Sequence, residues 1–234
     1  MKKGNLFKAT ILPTITTISK NWSEKIKEVR KLGLKEVCFF PTCLKEKERK
    51  EAYRLLKSTK INKIPLVHLR EDVKPEELDY LVENYETRAF NIHSKSEHPL
   101  TYEYSRHKNI IYLENVFTLF DEKELDDFGG TCLDLSHLEN DRILHKEKFE
   151  NTKKMLRKYP IGCNHISVVK SIARFDQEEK IIRYDSHILE NFSELDYLRK
   201  YPRRYFSNLI AIELENSIKE QLLAKEYILN ILEV

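Results

Sequence analysis

The sequence has 234 residues, of which 41% are hydrophobic and 34% are charged. This apolar content is enough for a sizeable core, and the charge is too high for a membrane protein. Because 41 basic residues are nearly balanced by 38 acidic ones, the net charge is only +3. A surface that binds a nucleic acid would therefore have to be a local cluster of basic residues.

Short β-branched or aromatic runs alternate with charged, helix-like stretches along the whole chain, a pattern that is typical of repeated βα units. The predicted strands cover residues 6–12, 36–41, 64–69, 88–93, 109–116, 131–136, 162–168 and 208–215. Most strands start roughly 20 to 30 residues apart, about one strand, one helix and two short loops. The interval between the last two strands is longer, so the seventh loop carries extra material.

Amphipathic segments lie between these strands and predict helices at 23–32, 45–57, 74–85, 146–159 and 218–232. Gly33 stands where a helix C-cap is expected, and Pro75 stands in the first turn of a helix. Eight units without a Gly-rich first turn favour a single-domain (β/α)8 TIM barrel over residues 1–234. An open doubly wound sheet is the competing interpretation.

The remaining composition restricts the class of protein further. No apolar run approaches the ~18 residues that span a bilayer, and no export signal is visible, so we expect a cytoplasmic protein with no membrane contact. Only five glycines are present and none forms a Walker or dinucleotide loop, which argues against a nucleotide cofactor. Four cysteines without a Cys-x-x-Cys pair predict buried free thiols: Cys38, Cys43, Cys132 and Cys163.

Histidines and carboxylates gather at the ends of the predicted strands, where a barrel carries its chemistry. Five of the eight histidines lie in this set, although random placement would put about one there. Neutral imidazole and carboxylate are the ligands that zinc, manganese and iron select. The candidate metal ligands are His68, His93, Glu114, Asp134, His137, His165, Asp185, His187, Glu213 and Glu215.

Local spacing agrees with metal binding. The chain after Asp134 can curl so that Asp134 and His137 reach one centre. Asp185 and His187 are two residues apart, so their side chains point the same way if the backbone is extended. Glu213 and Glu215 share a face by the same alternation, and glutamates inside a barrel need a counter-charge that a metal ion would supply. Spacing does not decide between the two, although Glu213 is preferred.

These residues resemble the xylose isomerase-like barrel superfamily and, within it, the endonuclease IV family of apurinic/apyrimidinic endonucleases. The motifs are the lone histidines after strands three and four, Leu-Glu-Asn at 113–115, Asp-x-x-His at 134–137, His165 with Lys170, and Asp-x-His at 185–187. The family's His-x-Asn-Asp-Ser-Lys is here His-Ile-Ser-Val-Val-Lys at 165–170. The resemblance implies three zinc ions held by nine residues, with Glu213 or Glu215 as the last.

The resemblance implies a metal-dependent phosphodiesterase that acts on abasic DNA, in which metal ions activate water for in-line attack on phosphorus. Glu114 and Glu213 would bridge or orient the metal ions as the catalytic carboxylates. Candidates for phosphate contact are Arg70, Lys170, Arg203 and Arg204. Two or three zinc ions are expected, and manganese is the alternative metal.

A sugar or sugar-phosphate isomerase or epimerase is the second hypothesis, since such enzymes of the superfamily hold one metal ion. Glu114, Asp134, His165 and Glu213 would bind that ion, and the glutamates would shuttle a proton beside a carbonyl. The histidines left over favour a multinuclear site, although they could bind sugar hydroxyls instead. A third interpretation keeps the barrel as a non-enzymatic binding pocket.

Overall fold

The computed structural model describes residues 9–177 and 179–232, which form a closed barrel of eight parallel strands with helices between them. The strands follow one another around the barrel in chain order, and the first pairs with the last. The predicted (β/α)8 fold is therefore confirmed, and the open doubly wound sheet is wrong.

The strands were predicted in the right number and order, with bounds that the structure shortens or shifts. The barrel strands are β1 (Thr10–Thr16), β2 (Cys38–Phe40), β3 (Leu66–His68), β4 (Ala89–Ile92), β5 (Ile111–Glu114), β6 (Thr131–Asp134), β7 (Ile161–Ile166) and β10 (Leu209–Ile212). The other two strands, β8 (Val168–Asp176) and β9 (Ile181–Ser186), form a separate antiparallel hairpin. The helices are α1 (Trp22–Leu32), α2 (Glu46–Leu56), α3 (Pro75–Tyr85), α4 (Glu122–Asp126), α5 (Leu135–Leu144), α6 (Lys146–Met155) and α7 (Ile218–Leu232).

The first strand runs further along the chain than predicted. The prediction ended it at Leu12, one residue before Pro13, and proline is uncommon inside strands. In the structure β1 continues through Pro13, pairing with β10 over residues 10–13 and with β2 over residues 14–16. The strand continues past the proline because its first half pairs with β10 and its second half pairs with β2. The predicted residues 6–8 lie outside the described residues.

The helix signals in the sequence are reproduced where the helix has one polar face. Gly33 ends α1 in the left-handed conformation, at φ 67°, and Pro75 is the first residue of α3. Helix α5 was not predicted, because five of residues 135–141 are polar although all seven are buried, so the sequence shows no clear apolar stripe there. Its N-cap is Asp134, so the strand end and the helix start share one residue.

Apolar side chains fill the barrel below its mouth and the space between barrel and helices. The interior cluster is small and contains Leu12, Phe40 and Leu66, together with three of the cysteines. Cys38, Cys132 and Cys163 are buried and form no disulfide, as predicted, whereas Cys43 is exposed and its predicted burial is wrong. Among the described residues, no helix has the length and apolar character needed to cross a membrane.

The long seventh loop contains the β8–β9 hairpin and two 3-10 helices, Phe192–Lys200 and Arg203–Tyr205. The hairpin packs on α5, where the backbone N–H of Tyr184 donates to Oδ1 of Asn140 over 2.8 Å. It follows directly on β7, so it stands at the carboxyl end of the barrel. The extra material predicted for this loop is thus an ordered element beside the barrel mouth.

Candidate metal centre

Six of the predicted ligands meet at the carboxyl ends of the barrel strands. Three of them end a strand: His68 on β3, Glu114 on β5 and Asp134 on β6. His165 lies inside β7, and His93 and Glu213 follow β4 and β10 by one residue. Since parallel strands in a closed barrel end around one mouth, these side chains converge although they are up to 145 positions apart (213 − 68).

The first ligand group joins His68, His93 and Glu114, whose candidate ligand atoms all lie within 4.8 Å of one another. Nε2 of His68 lies 3.1 Å from Oε2 of Glu114 and 3.1 Å from Nε2 of His93. The Nδ1 atom of His68 contacts the carbonyl oxygen of Leu69 at 3.0 Å. This contact assigns the proton of neutral His68 to Nδ1 and leaves Nε2 to face the centre.

The second group joins Glu114, Asp134, His165 and Glu213, again with candidate atoms within 4.8 Å of one another. Nδ1 of His165 lies 3.1 Å from Oε2 of Glu213 and 3.4 Å from Oε1 of Glu114. All four residues are buried. Buried carboxylates at this density need compensating positive charge.

Glu114 belongs to both groups, and its two oxygens face different partners. Oε2 lies toward His68 and His93, at 3.1 and 4.0 Å, whereas Oε1 lies toward His165 at 3.4 Å. Nδ2 of Asn91 donates to Oε2 over 2.7 Å and fixes the carboxylate. A carboxylate presented in this way can bridge two cations.

The two carboxylate oxygens of Asp134 have different roles, one in capping a helix and one in the second ligand group. Oδ1 accepts the backbone N–H groups of Ser136 and His137, at 2.7 and 2.8 Å, and so caps α5. Oδ2 is buried and has no hydrogen-bond partner among the described residues. It lies 4.0 Å from Nε2 of His137 and belongs to the second ligand group.

Mutual interactions shift the pKa values of the group. Burial opposes charge on His165, but the carboxylates of Glu114 and Glu213 outweigh it and raise the pKa of His165 well above its ordinary value. Burial alone would raise the pKa of Glu213, but His187 and His165 outweigh it and lower this pKa to about 2. Burial and the neighbouring His68 lower the pKa of His93 to about 3, which keeps this imidazole neutral. A neutral imidazole is the form that binds metal.

The donor set fits a divalent cation. Among the described residues, the buried atoms Oδ2 of Asp134, Oε2 of Glu213 and both ring nitrogens of His165 make no hydrogen bond. Buried polar atoms are seldom left in this state without an ion or water to satisfy them. Two ligands of a tetrahedral zinc ion lie about 3.4 Å apart. The ligand–ligand distances here, 3.1 to 4.0 Å, are close to that spacing.

The other four predicted ligands do not join a common group. Asp185 binds His137, Nδ1 to Oδ2 at 2.7 Å, and also binds Arg183. Nδ1 of His187 contacts the carbonyl oxygen of Glu213 at 3.2 Å. Glu215 forms an ion pair with Lys25 at 3.2 Å and accepts the N–H of Ser19. Glu213 and Glu215 diverge because β10 ends at Ile212, and strand alternation no longer applies beyond it.

Of the predicted phosphate-binding residues, one lies beside the centre. Arg70 lines a cavity of about 90 Å³ together with His68 and His93, and it contacts Glu71 and Asp72. Lys170 is buried on β8 in ion pairs with Glu194 and Glu190, at 2.9 and 3.2 Å. In the 3-10 helix Arg203–Tyr205, Arg203 donates to the carbonyl oxygen of Phe206 and Arg204 lies over the ring of Tyr205.

Sequence reasoning missed three residues at this centre. Asn91 lies two residues before His93, and Cys132 lies two residues before Asp134 and within 4.8 Å of Glu114 and His165. Strand alternation puts residues two apart on one face, so this signal could have found both. Burial raises the pKa of the Cys132 thiol, which is therefore protonated. Arg183 had no such signal, because its role depends on the hairpin.

No protein-family model matches the chain, and no curated protein matches it. Solved structures do match. A xylose isomerase-like TIM barrel protein from Mycobacterium smegmatis, in complex with magnesium, is 13% identical with a TM-score of 0.50, over 95% of this chain and 96% of that one. A xylose isomerase domain protein from Alicyclobacillus acidocaldarius is 13% identical with a TM-score of 0.51, over 95% of this chain and 98% of the other.

An AP endonuclease of family 2 from Brucella melitensis is 10% identical with a TM-score of 0.45, over 92% of this chain and 96% of that chain. Similarity this weak supports no conclusion about function. The two neighbours with TM-scores of 0.50 and 0.51 show that the chain shares the barrel fold of xylose isomerase-like TIM barrel proteins, as the predicted resemblance implied.

Proposed function

We propose that this protein is a metal-dependent hydrolase that cleaves phosphodiester bonds, with abasic DNA as its substrate. The observation that carries the proposal is the position of Glu114 between two ligand groups. Its Oε2 atom lies 3.1 Å from Nε2 of His68, and its Oε1 atom lies 3.4 Å from Nδ1 of His165. A carboxylate shared in this way supports a dinuclear centre, which is common in phosphatases and nucleases.

The residues divide into two binding sets around Glu114. His68 and His93 would hold one cation with it, whereas Asp134, His165 and Glu213 would hold the other. Two bound divalent cations would supply the Lewis acidity that activates water and the positive charge that stabilises the phosphoryl transition state. The three histidines favour zinc, and the three carboxylates are compatible with manganese.

Substrate would enter beside the first binding set. Arg70 lines the same cavity as His68 and His93, and its side chain is 25% exposed. A guanidinium there can bind a phosphate group through two parallel hydrogen bonds. Magnesium in the Mycobacterium smegmatis neighbour supports a divalent cation in a barrel of this fold.

The test is incision of a duplex that carries one abasic site, by purified protein loaded with zinc or manganese. We expect metal-dependent cleavage at that site, and loss of cleavage together with loss of bound metal in Glu114→Gln. Glu190→Gln is the matched control, because this glutamate is 57% exposed and lies outside both ligand groups. Absence of cleavage by the metal-loaded protein, on abasic and intact DNA alike, would reject the proposal.

One observation favours a second candidate function. The group of Glu114, Asp134, His165 and Glu213 is by itself a four-ligand site for one cation, with a glutamate from β5 and a glutamate after β10. In a sugar or sugar-phosphate isomerase or epimerase, those two glutamates would move a proton beside a carbonyl. Metal analysis separates the candidates, since one ion per chain supports isomerisation and two support phosphoester cleavage.

A further inference from the structure

The β8–β9 hairpin holds an arginine against one of the predicted metal ligands. Nε of Arg183 donates to Oδ1 of Asp185 over 3.1 Å, and Nη2 of Arg183 contacts the other oxygen of the same carboxylate. Nη1 donates to Oδ2 of Asp176 at 3.2 Å. The guanidinium of Arg183 thus binds the carboxylate of Asp185 in a bidentate arrangement, which is the strongest geometry for this pair of groups.

Asp185 has a second partner on the barrel side. Its Oδ2 atom lies 2.7 Å from Nδ1 of His137, and its side chain is 1% exposed. Both carboxylate oxygens therefore face protein donors. The contact with Asp185 places a proton on Nδ1 of His137 and turns Nε2 toward Glu114 and Asp134, at 3.8 and 4.0 Å.

The resemblance to endonuclease IV implies a third metal ion, for which His137, Asp185 and His187 are the remaining ligands. Within residues 9–177 and 179–232, these three do not form a group that could hold a metal ion. His187 instead contacts the carbonyl oxygen of Glu213 at 3.2 Å. The residues of this chain thus fit two cations and do not fit the third.

We propose that the centre takes two divalent cations, and that Arg183 is a fixed positive charge in place of a third. This inference rests on the proposed function and states the nuclearity of its metal site. Asp185 is then a positioning residue, which orients His137 toward the two cations without binding either. The arginine supplies the charge that neutralises Asp185.

The physical reason is the permanence of the guanidinium charge. Arginine cannot lose its proton in a protein, so a cation at Asp185 would face an undiminished repulsion from Arg183. Moving the arginine away is also unfavourable, because it is 15% exposed and would leave Asp176 and Asp185 without these contacts. Added metal ions therefore do not displace Arg183 from Asp185.

The hairpin keeps Arg183 in this position. Tyr184, the next residue, donates its backbone N–H to Asn140 on α5, one helical turn after His137. Asp185 pairs with Val169 across the hairpin, and an irregularity in register separates this pair from that of Arg183 with Arg174. The backbone of β9 at Arg183 is thus held by α5 through Tyr184 and by β8 through the strand pairing.

The test is the number of zinc or manganese ions bound per chain, measured by elemental analysis after equilibration with a metal buffer. We expect two ions in the unmodified protein and three in Arg183→Ala, because the freed carboxylate of Asp185 becomes available with His137. Arg174→Ala is the matched control, since this arginine lies on the same hairpin, is 55% exposed and contacts only the exposed Glu190 among the ion pairs of the described residues. It should keep two ions.

A second variant keeps the test decisive if Arg183→Ala does not fold. Asp185→Asn should still bind two ions, with affinity lowered about 10- to 100-fold because His137, whose Nε2 faces the ligands Glu114 and Asp134, loses its orienting partner. Three ions in the unmodified protein, two ions in folded Arg183→Ala, or loss of one whole ion in Asp185→Asn would each overturn the inference. One ion or none in the unmodified protein would reject the proposed dinuclear function instead.

Discussion

Nδ1 of His165 lies 3.1 Å from Oε2 of Glu213, across the boundary between strand β7 and the end of strand β10. Neither atom makes a hydrogen bond among the described residues, although both are buried. Without a metal ion the pair depends on a proton carried by His165, whose pKa the surrounding carboxylates raise well above its ordinary value despite burial. A metal ion would take over the role of this proton.

Metal binding should therefore release protons and weaken in acid. Because Glu114 and Glu213 raise the pKa of His165 despite burial, a cation that binds this ring competes with a proton. The apparent affinity should rise about tenfold per pH unit for each proton released, between about pH 6 and about pH 8. Calorimetric titration with zinc in buffers of different ionisation enthalpy measures the number of protons. Equal affinity at both ends of that range would contradict the expectation.

Substitution should separate the two glutamates that the sequence left undecided. Glu213→Gln removes a charged member of the second ligand group and should lower metal affinity by more than about 100-fold. Glu215→Gln should leave metal binding unchanged, but should destabilise the fold by about 3 kcal/mol because it leaves the buried Lys25 without its countercharge. Competition with a chelator measures the first effect and denaturant unfolding the second. Loss of metal affinity in Glu215→Gln and not in Glu213→Gln would contradict the prediction and identify Glu215 as the ligand.

The buried Arg49 should be a main determinant of stability. Its side chain is fully buried and contacts Glu77, Asp72 and the carbonyl oxygen of Leu44. Arg49→Met keeps much of the volume but leaves the mostly buried Glu77 without its cation, whereas Asp72 keeps its contact with Arg70. We therefore expect a loss of about 3–5 kcal/mol in the free energy of unfolding. Arg54→Met on the same helix is the control and should have no measurable effect, since that side chain is 69% exposed. Similar midpoints for the two variants would contradict this prediction.

Glu77 should make stability sensitive to acid. Although burial opposes it, the interaction with Arg49 lowers the pKa of Glu77 in the folded protein. A lowered folded pKa means that the contribution is present above the ordinary carboxyl range and is lost as the pH falls through the folded value. We expect Glu77→Gln to be less stable than the unmodified protein near neutral pH, and the difference to shrink in acid. Urea unfolding at several pH values measures it, and a constant difference would show that charge is not the cause.

The sequence determined the number of barrel strands, their order and the face on which the polar groups lie. These properties depend on local periodicity: alternation within a strand and the spacing of βα units are set by the backbone geometry of neighbouring residues. For this reason His68, His93, Glu114, Asp134 and His165 could be assigned to strand ends before any distance was known. Strand bounds were less accurate, as Pro13 within β1 illustrates.

Only the tertiary structure decided which of these groups meet. Closure of the barrel brings His68 to Glu114 and His165 to Glu213, and the end of β10 at Ile212 turns Glu215 away toward Lys25. The hairpin in the seventh loop engages Asp185 with Arg183, although its spacing resembles a metal-binding pair. Distances between residues far apart in the chain depend on packing and on how each loop folds back, and no local pattern encodes them.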